Sequence, residues 1–214
     1  DHRDLHSFPT RRSSDLDKAY ITGTVLSVGG NAIPVSDKFV NIVVSTARKE
    51  PSTVKDIINV IANKKIVKKV KEGSHVKISG SLQTRTQDRH LYIYVFAEDI
   101  TVVTPADAED SDQVRFEGYI CKDPILRTTP ESNRKICDLI LAINDRGYSY
   151  YVPCICWNSV AERMSEKAVG DKFYVTGRLQ SREYVKNGRT YVINEVSVIH
   201  IEDCFTESDD EVED

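Results

Sequence analysis

Residues 73–85, GSHVKISGSLQTR, fall without a gap on residues 170–182, GDKFYVTGRLQSR, when the chain is shifted by 97 positions. Gly73, Gly80, Leu82, Gln83 and Arg85 then meet Gly170, Gly177, Leu179, Gln180 and Arg182, 5 identities in 13. Near the start of each half, Ile21-Thr-Gly23-Thr-Val25 is matched by Phe116-Glu-Gly118-Tyr-Ile120. A chain written twice must fold as two similar units. Two copies are a duplication, whereas a solenoid takes three or more. With 214 residues in all, each copy has enough chain to bury roughly 60–65% of its unfolded surface.

The apolar residues alternate with polar ones, which predicts strands over 19–28, 39–46, 54–61, 75–85 and 91–103. The second copy repeats the order at 114–121, 136–144, 148–157, 171–182 and 189–201. A short helix is expected between the third and fourth strands of each copy, at 66–70 and at 160–167. Five strands with one helix in that place is the order of an OB-fold, which often binds oligonucleotides. The expected fold is all-β: two tandem OB-fold five-stranded barrels, each with one short helix. Gly80 and Gly177, inside the fourth strands, permit the coil that closing such a sheet requires.

Charge divides the chain in the same way. Residues 17–104 carry a net +5 and 114–201 a net +3, whereas 105–113 carry −4 and 202–214 carry −8. Two basic bodies with an acidic linker and an acidic, disordered tail are expected. The overall charge of −4 hides bodies that attract a polyanion. Residues 1–16, DHRDLHSFPTRRSSDL, have no apolar periodicity and read like a translated sequencing adapter, so they are set aside as a leader. No apolar run approaches the ~20 residues of a membrane helix.

The five cysteines are Cys121, Cys137, Cys154, Cys156 and Cys204, an odd count largely within apolar runs. Reduced thiols and a cytoplasmic location are expected. Cys154 and Cys156 lack a second Cys or His pair at metal spacing. The histidines are scattered, and there is no P-loop, dinucleotide-binding glycine pattern or catalytic triad spacing. The expectation is a binding protein without enzymatic activity, metal or cofactor.

Alternation also assigns faces. On the third strand of the second copy, Val152, Cys154 and Cys156 point inward, and Tyr151, Ile155 and Trp157 outward. On the fourth, Tyr174, Thr176, Arg178, Gln180, Arg182 and Tyr184 point outward. One outer face then holds Tyr151, Trp157, Tyr174 and Tyr184 among Arg178 and Arg182, with Lys77 and Arg85 in the same phase of the first copy. Aromatic faces that stack on bases and cations that meet phosphates are what single strands require. Tyr92, Tyr94 and Phe96 share one face of the first copy, as a substitute platform, a barrel–barrel interface or ordinary core.

Residues 114–201 resemble the bacterial single-stranded-DNA-binding protein family. The resemblance is carried by Gly118-Tyr-Ile-Cys-Lys-Asp123-Pro124-Ile-Leu-Arg127, Asp138-Leu-Ile-Leu-Ala-Ile143, Tyr151-Val-Pro-Cys-Ile-Cys-Trp157, Val160-Ala-Glu162 and the 170–184 block. Residues 17–104 resemble it much less. The resemblance implies sequence-nonspecific binding of single strands in replication, recombination or repair, with Tyr151, Trp157 and Tyr184 as stacking positions. The same alignment puts Val54, Val60 and Gln87 there in the first copy, and none can stack. It also implies four barrels per assembly, here a homodimer, and recruitment of replication or repair proteins by the tail 202–214. That tail lacks the family's apolar tip, and Phe205 and Val212 lie inside it. The alternative readings are a primosome-type adaptor whose main ligand is protein, and an RNA- or tRNA-binding OB module.

Overall fold

Alternation in the first half is met by five strands, β1 (Lys18–Val28), β2 (Phe39–Ala47), β3 (Lys55–Asn63), β4 (His75–Gln87) and β5 (His90–Val103). The structure is a computed structural model that describes residues 17–30, 33–130, 132–145, 147–186 and 188–204, without the side chains of 184–186 and 189–191. The 1–16 leader and residues 205–214 of the tail lie outside the described residues. β1 pairs antiparallel with β2 and β4, β2 with β3, and β4 with β5. β3 runs parallel to β5 at Val60–Ala62, so the pairings return to the strand where they began.

The second half repeats this with β6 (Ser111–Ile120), β8 (Lys135–Asp145), β9 (Tyr148–Trp157), β10 (Lys172–Lys186) and β11 (Arg189–Asp203). β6 pairs with β8 and β10, β8 with β9, and β10 with β11, and β9 meets β11 in parallel at Cys154–Ile155. An additional short strand, β7 (Ile125–Thr128), pairs with β8. Inward residues of both halves, among them Ile21, Leu82, Phe116, Leu141 and Phe173, join one buried apolar cluster. Cys137, Cys154 and Cys156 are part of it.

Gly80 and Gly177 sit where the register of each fourth strand slips against its fifth. A Cβ on Gly80 would lie 2.1 Å from the Phe96 carbonyl oxygen, and one on Gly177 would lie 2.7 Å from that of Ser197. Bulge and close backbone approach explain why both copies keep glycine there.

The expected helix of the first half is absent; α1 (Asn158–Ser165) is the only helix among the described residues. Residues 64–71 form turns instead, with the Ile66 and Val70 N–H groups donating to the carbonyls of Asn63 and Val67. Lys64 and Lys68, and Lys65 and Lys69, would repel at i, i+4 in a helix. β-branched Ile66, Val67 and Val70 also lose rotamer freedom there. Asn63 Oδ1 accepts the Lys65 N–H at 2.9 Å and fixes a turn. In α1, Ala161 and Met164 are buried at a helical spacing of three.

The halves are joined by antiparallel pairing of β1 with β6, from Lys18 opposite Arg115 to Thr22 opposite Ser111. β3 packs on β10, and reciprocally β4 packs on β9. Part of the expected linker is therefore strand, because Ser111–Gln113 complete the β1 ladder. Its preceding residues are docked: the Ala47 N–H donates to Asp110 Oδ2 at 2.6 Å, and His75 Nε2 lies 2.8 Å from the Ala108 carbonyl. Glu202 and Asp203, expected in the tail, close β11.

Candidate nucleic-acid interface

β6, β8 and β9 lie side by side, and register places Tyr119, Ala142 and Tyr151 in one row across them. Their inward neighbours Ile120, Leu141 and Val152 are buried, so the row stands on the outer face. Tyr151 is 52% exposed and Tyr119 37%. Tyr119 was not among the residues expected to stack, although the alternation Phe116, Gly118, Ile120 already pointed it outward. Beyond it on β10, Lys172 is in register with Tyr119, holds its Nζ 5.4 Å from the ring centroid and pairs with Glu117.

Trp157 ends β9 on the same face, six residues from Tyr151 and so about 20 Å along the strand. It is half-buried, and its indole N–H donates to Ser197 Oγ at 3.2 Å. Ile155, expected outward and exposed, is buried: it lies between Asp138 and Ser197, and the indole reaches across to the latter. Tyr174 is half-buried between Glu117 and Glu202 in register. Tyr184 is placed in β10 opposite Tyr191, and its side chain lies outside the described residues.

The expected cations do not form one patch. Arg178 is drawn into the seam, where its Nη1 donates to Asp56 Oδ2 at 2.9 Å. Arg48 holds the same carboxylate with two bonds of 2.7 Å, and the Ser181 N–H donates to it at 2.9 Å. Burial and the neighbouring Arg48 charge lower the Arg178 pKa. Gln180, expected outward, is buried by this packing and donates to Glu195 Oε1 at 2.7 Å. Arg182 is exposed, with Nε 3.3 Å from the same oxygen. Lys77 and Arg85 are exposed on β4, and Arg85 donates to the Pro34 carbonyl at 2.8 Å. The β7–β8 arm adds exposed Arg127, bonded to Asp138, and Lys135, paired with Glu162.

Burial raises the pKa of two carboxyls at the seam. Burial pushes Asp112 up to about 8, opposed by the Leu179 N–H, while the Asp56 charge adds to the shift. Burial pushes Asp17 up to about 7, against a 3.0 Å bond from the Leu82 N–H. Asp112, Asp56, Arg48 and Arg178 line a 680 Å³ cleft between the halves, with Tyr20 and Ile199 at its exposed rim.

In the first half the corresponding face is covered. Tyr92, Tyr94 and Phe96 form a separate apolar cluster with Ile33, Val35, Phe39 and Ile61, which makes them core beneath the β1–β2 segment. Asn41 Nδ2 pins that segment by donating to the Ile33 carbonyl at 2.6 Å. Register also corrects the carried-over positions. Val60 lies beside Val95 as Cys154 lies beside Val196, so Tyr151 matches Ile57 and Trp157 matches Asn63, rather than Val54 and Val60. Val60 itself is fully buried, whereas Val54 is exposed just ahead of β3. Gln87 keeps its match to Tyr184, and the aromatic row becomes Thr24, Ser45 and Ile57.

Burial pushes the Cys137 and Cys156 thiols up to about 11 and about 12, which keeps them protonated. Among the described residues no three His, Cys, Asp or Glu side chains are grouped to hold a metal ion, and no helix is long and apolar enough to cross a membrane.

Residues 112–203 match the model of the "Single-strand binding protein family". The wild-type single-stranded DNA binding protein from Thermus aquaticus has the same fold, with TM-score 0.73, 19% identity, and coverage of 92% of this chain and 97% of that one. A deletion mutant of that protein gives TM-score 0.72 at 20% identity, covering 92% and 98%. No curated protein matches the sequence. The segment that carries Tyr119, Tyr151 and Trp157 is thus the one that relates this chain to the single-strand binding protein family.

Proposed function

We propose that the chain binds single-stranded DNA without regard to sequence, on the outer face of its second half. The observation that carries this reading is Tyr151 and Trp157 on one face of one strand, inside the segment that matches the family model. Rings on a sheet face can stack on bases of any identity, and exposed Arg182, Arg127 and Lys135 can meet phosphates. Each closed cycle of pairings is read as an OB-fold barrel, 17–104 degenerate and 114–201 binding. Coating single strands during replication, recombination or repair is the corresponding role, and binding rather than catalysis is the activity.

A homodimer presenting four barrels is proposed as the assembly, since linked modules gain avidity. Light scattering at micromolar concentration tests it, and a monomer mass overturns it. The acidic tail remains a proposed contact for replication or repair proteins.

Labelled oligo(dT) titrated with the full chain tests the main reading. Anisotropy should rise, Trp157 fluorescence should be quenched, and duplex of the same length should compete poorly. Equal competition by duplex would sink the proposal, because paired bases hide the faces that stacking needs.

A further inference from the structure

We infer that Tyr119 and Tyr151 are the two walls of a notch that takes one base of the strand, with Ala142 as its floor. The inference rests on the single-strand reading above and adds a binding position to it. Adjacent strands are about 4.8 Å apart, so residues flanking the middle strand of three are separated by about 9.5 Å. Side chains stand roughly perpendicular to a sheet. A planar ring between two others needs carbon contacts of about 3.5–4.0 Å on each side, or roughly 7–8 Å between the outer rings. Two tyrosines leaning slightly inward meet that requirement. The methyl group of Ala142 leaves the space between them open.

Three further observations support the notch. Lys172 lies against Tyr119 from the β10 side, away from Ala142, with its Nζ 5.4 Å from the ring centroid. A cation there steadies the ring and leaves its other face for a base. Glu117 pairs with Lys172 and so holds that cation against the ring, and a 170 Å³ hollow lined by Asn144, Asp145 and Lys172 leaves open space beside Tyr119. The first half has Thr24, Ser45 and Ile57 in the matching row, with no ring on either wall. The occupant is a base of single-stranded DNA. A peptide ring is the competing occupant, and the abasic probe described next separates the two.

The test is oligo(dT) anisotropy with the full chain, for the wild type, Tyr119→Ala, Tyr119→Phe, Tyr151→Ala and the Tyr119→Ala/Tyr151→Ala double variant. Tyr119→Ala should weaken binding about tenfold, and Tyr119→Phe should bind as the wild type does. The double variant should lose less than the product of the single losses, because both walls hold one base. On an abasic oligonucleotide the wild type and Tyr119→Ala should bind equally. An oligo(dT) carrying 5-iodouracil should crosslink to Tyr119, read as a modified peptide by mass spectrometry. A wild type that fails to bind oligo(dT) overturns the function itself. A wild type that binds while Tyr119→Ala matches it, or an alanine loss that persists on abasic DNA, overturns the notch alone. Unchanged circular dichroism melting of Tyr119→Ala shows that any loss is not unfolding.

Discussion

The two halves close the same cycle of strands yet present opposite outer faces. In the first, the segment from Ile33 to Lys38 lies over β3 and β5, and its own Ile33 is 0% exposed against them. In the second, the segment after β6 continues along the same edge of β8 as β7, where Ile125 is 50% exposed. One copy uses its aromatic rings to hold its own chain; the other leaves Tyr119 and Tyr151 exposed.

The halves also meet asymmetrically. Asp56 of β3 receives Arg48, Arg178 and the Ser181 N–H, while the matching position on β9 is Tyr150, half-buried against the core. Asp56→Ala would leave two arginines and a backbone N–H without their acceptor. Breaking a buried pair by removing one partner costs about 3–5 kcal/mol. Urea denaturation should show that loss, and a change below about 1 kcal/mol would mean the seam is held by β1–β6 pairing alone.

The covering segment can be tested in the same way. Ile33→Ala should destabilise by about 2–4 kcal/mol, as buried isoleucine truncations do, whereas Ile125→Ala should change stability by less than about 0.5 kcal/mol. Equal effects at the two positions would erase the contrast between a covered and an open face.

The seam should make stability depend on pH. Asp112 and Asp17 have folded values raised to about 8 and about 7 from 3.8. A carboxyl raised on folding contributes stability that is complete below its unfolded value and is lost as pH rises through the folded one. Stability should fall from roughly pH 4 to pH 8, and Asp112→Asn should remove about 2–3 kcal/mol of that fall. Denaturation midpoints that stay flat across the range would contradict the buried protonated state.

On binding, Tyr151→Ala should cost about 1–3 kcal/mol toward oligo(dT), while Asn63→Ala, at the first-half match to Trp157, should cost almost nothing. Similar losses would show that the first half contributes a surface after all. The smallest effect is expected at Lys77, where alanine should lower the salt slope of binding by about 1 if it touches phosphate, with little change in preference among bases.

Much of the strand order was legible because alternation and glycine placement are local properties, repeated in both copies. Phe116, Gly118 and Ile120 defined the inward face of β6 without reference to any other strand. The first-half helix was misread because Val67 and Val70 carry a helix-like spacing, and only the turns at Asn63 and Val67 show how the lysine-rich run is accommodated. β7 was missed because four residues, Ile-Leu-Arg-Thr, are too few to establish a period.

By itself, the sequence determined the duplication, the inward faces, the glycine bulges and the aromatic positions on β9, each a matter of side-chain chemistry read at a period of two. Tertiary structure alone decided which outward positions remain open. Arg178 and Gln180 point outward by phase, yet Arg178 is half-buried and Gln180 buried because β3 packs on β10. Tyr94 is buried because a segment some 60 residues earlier in the chain folds back over it. Tyr119 gains its partner from a strand 32 residues later in the sequence, through register. Periodicity assigns a side to a residue, but what covers that side depends on contacts between segments far apart in the chain.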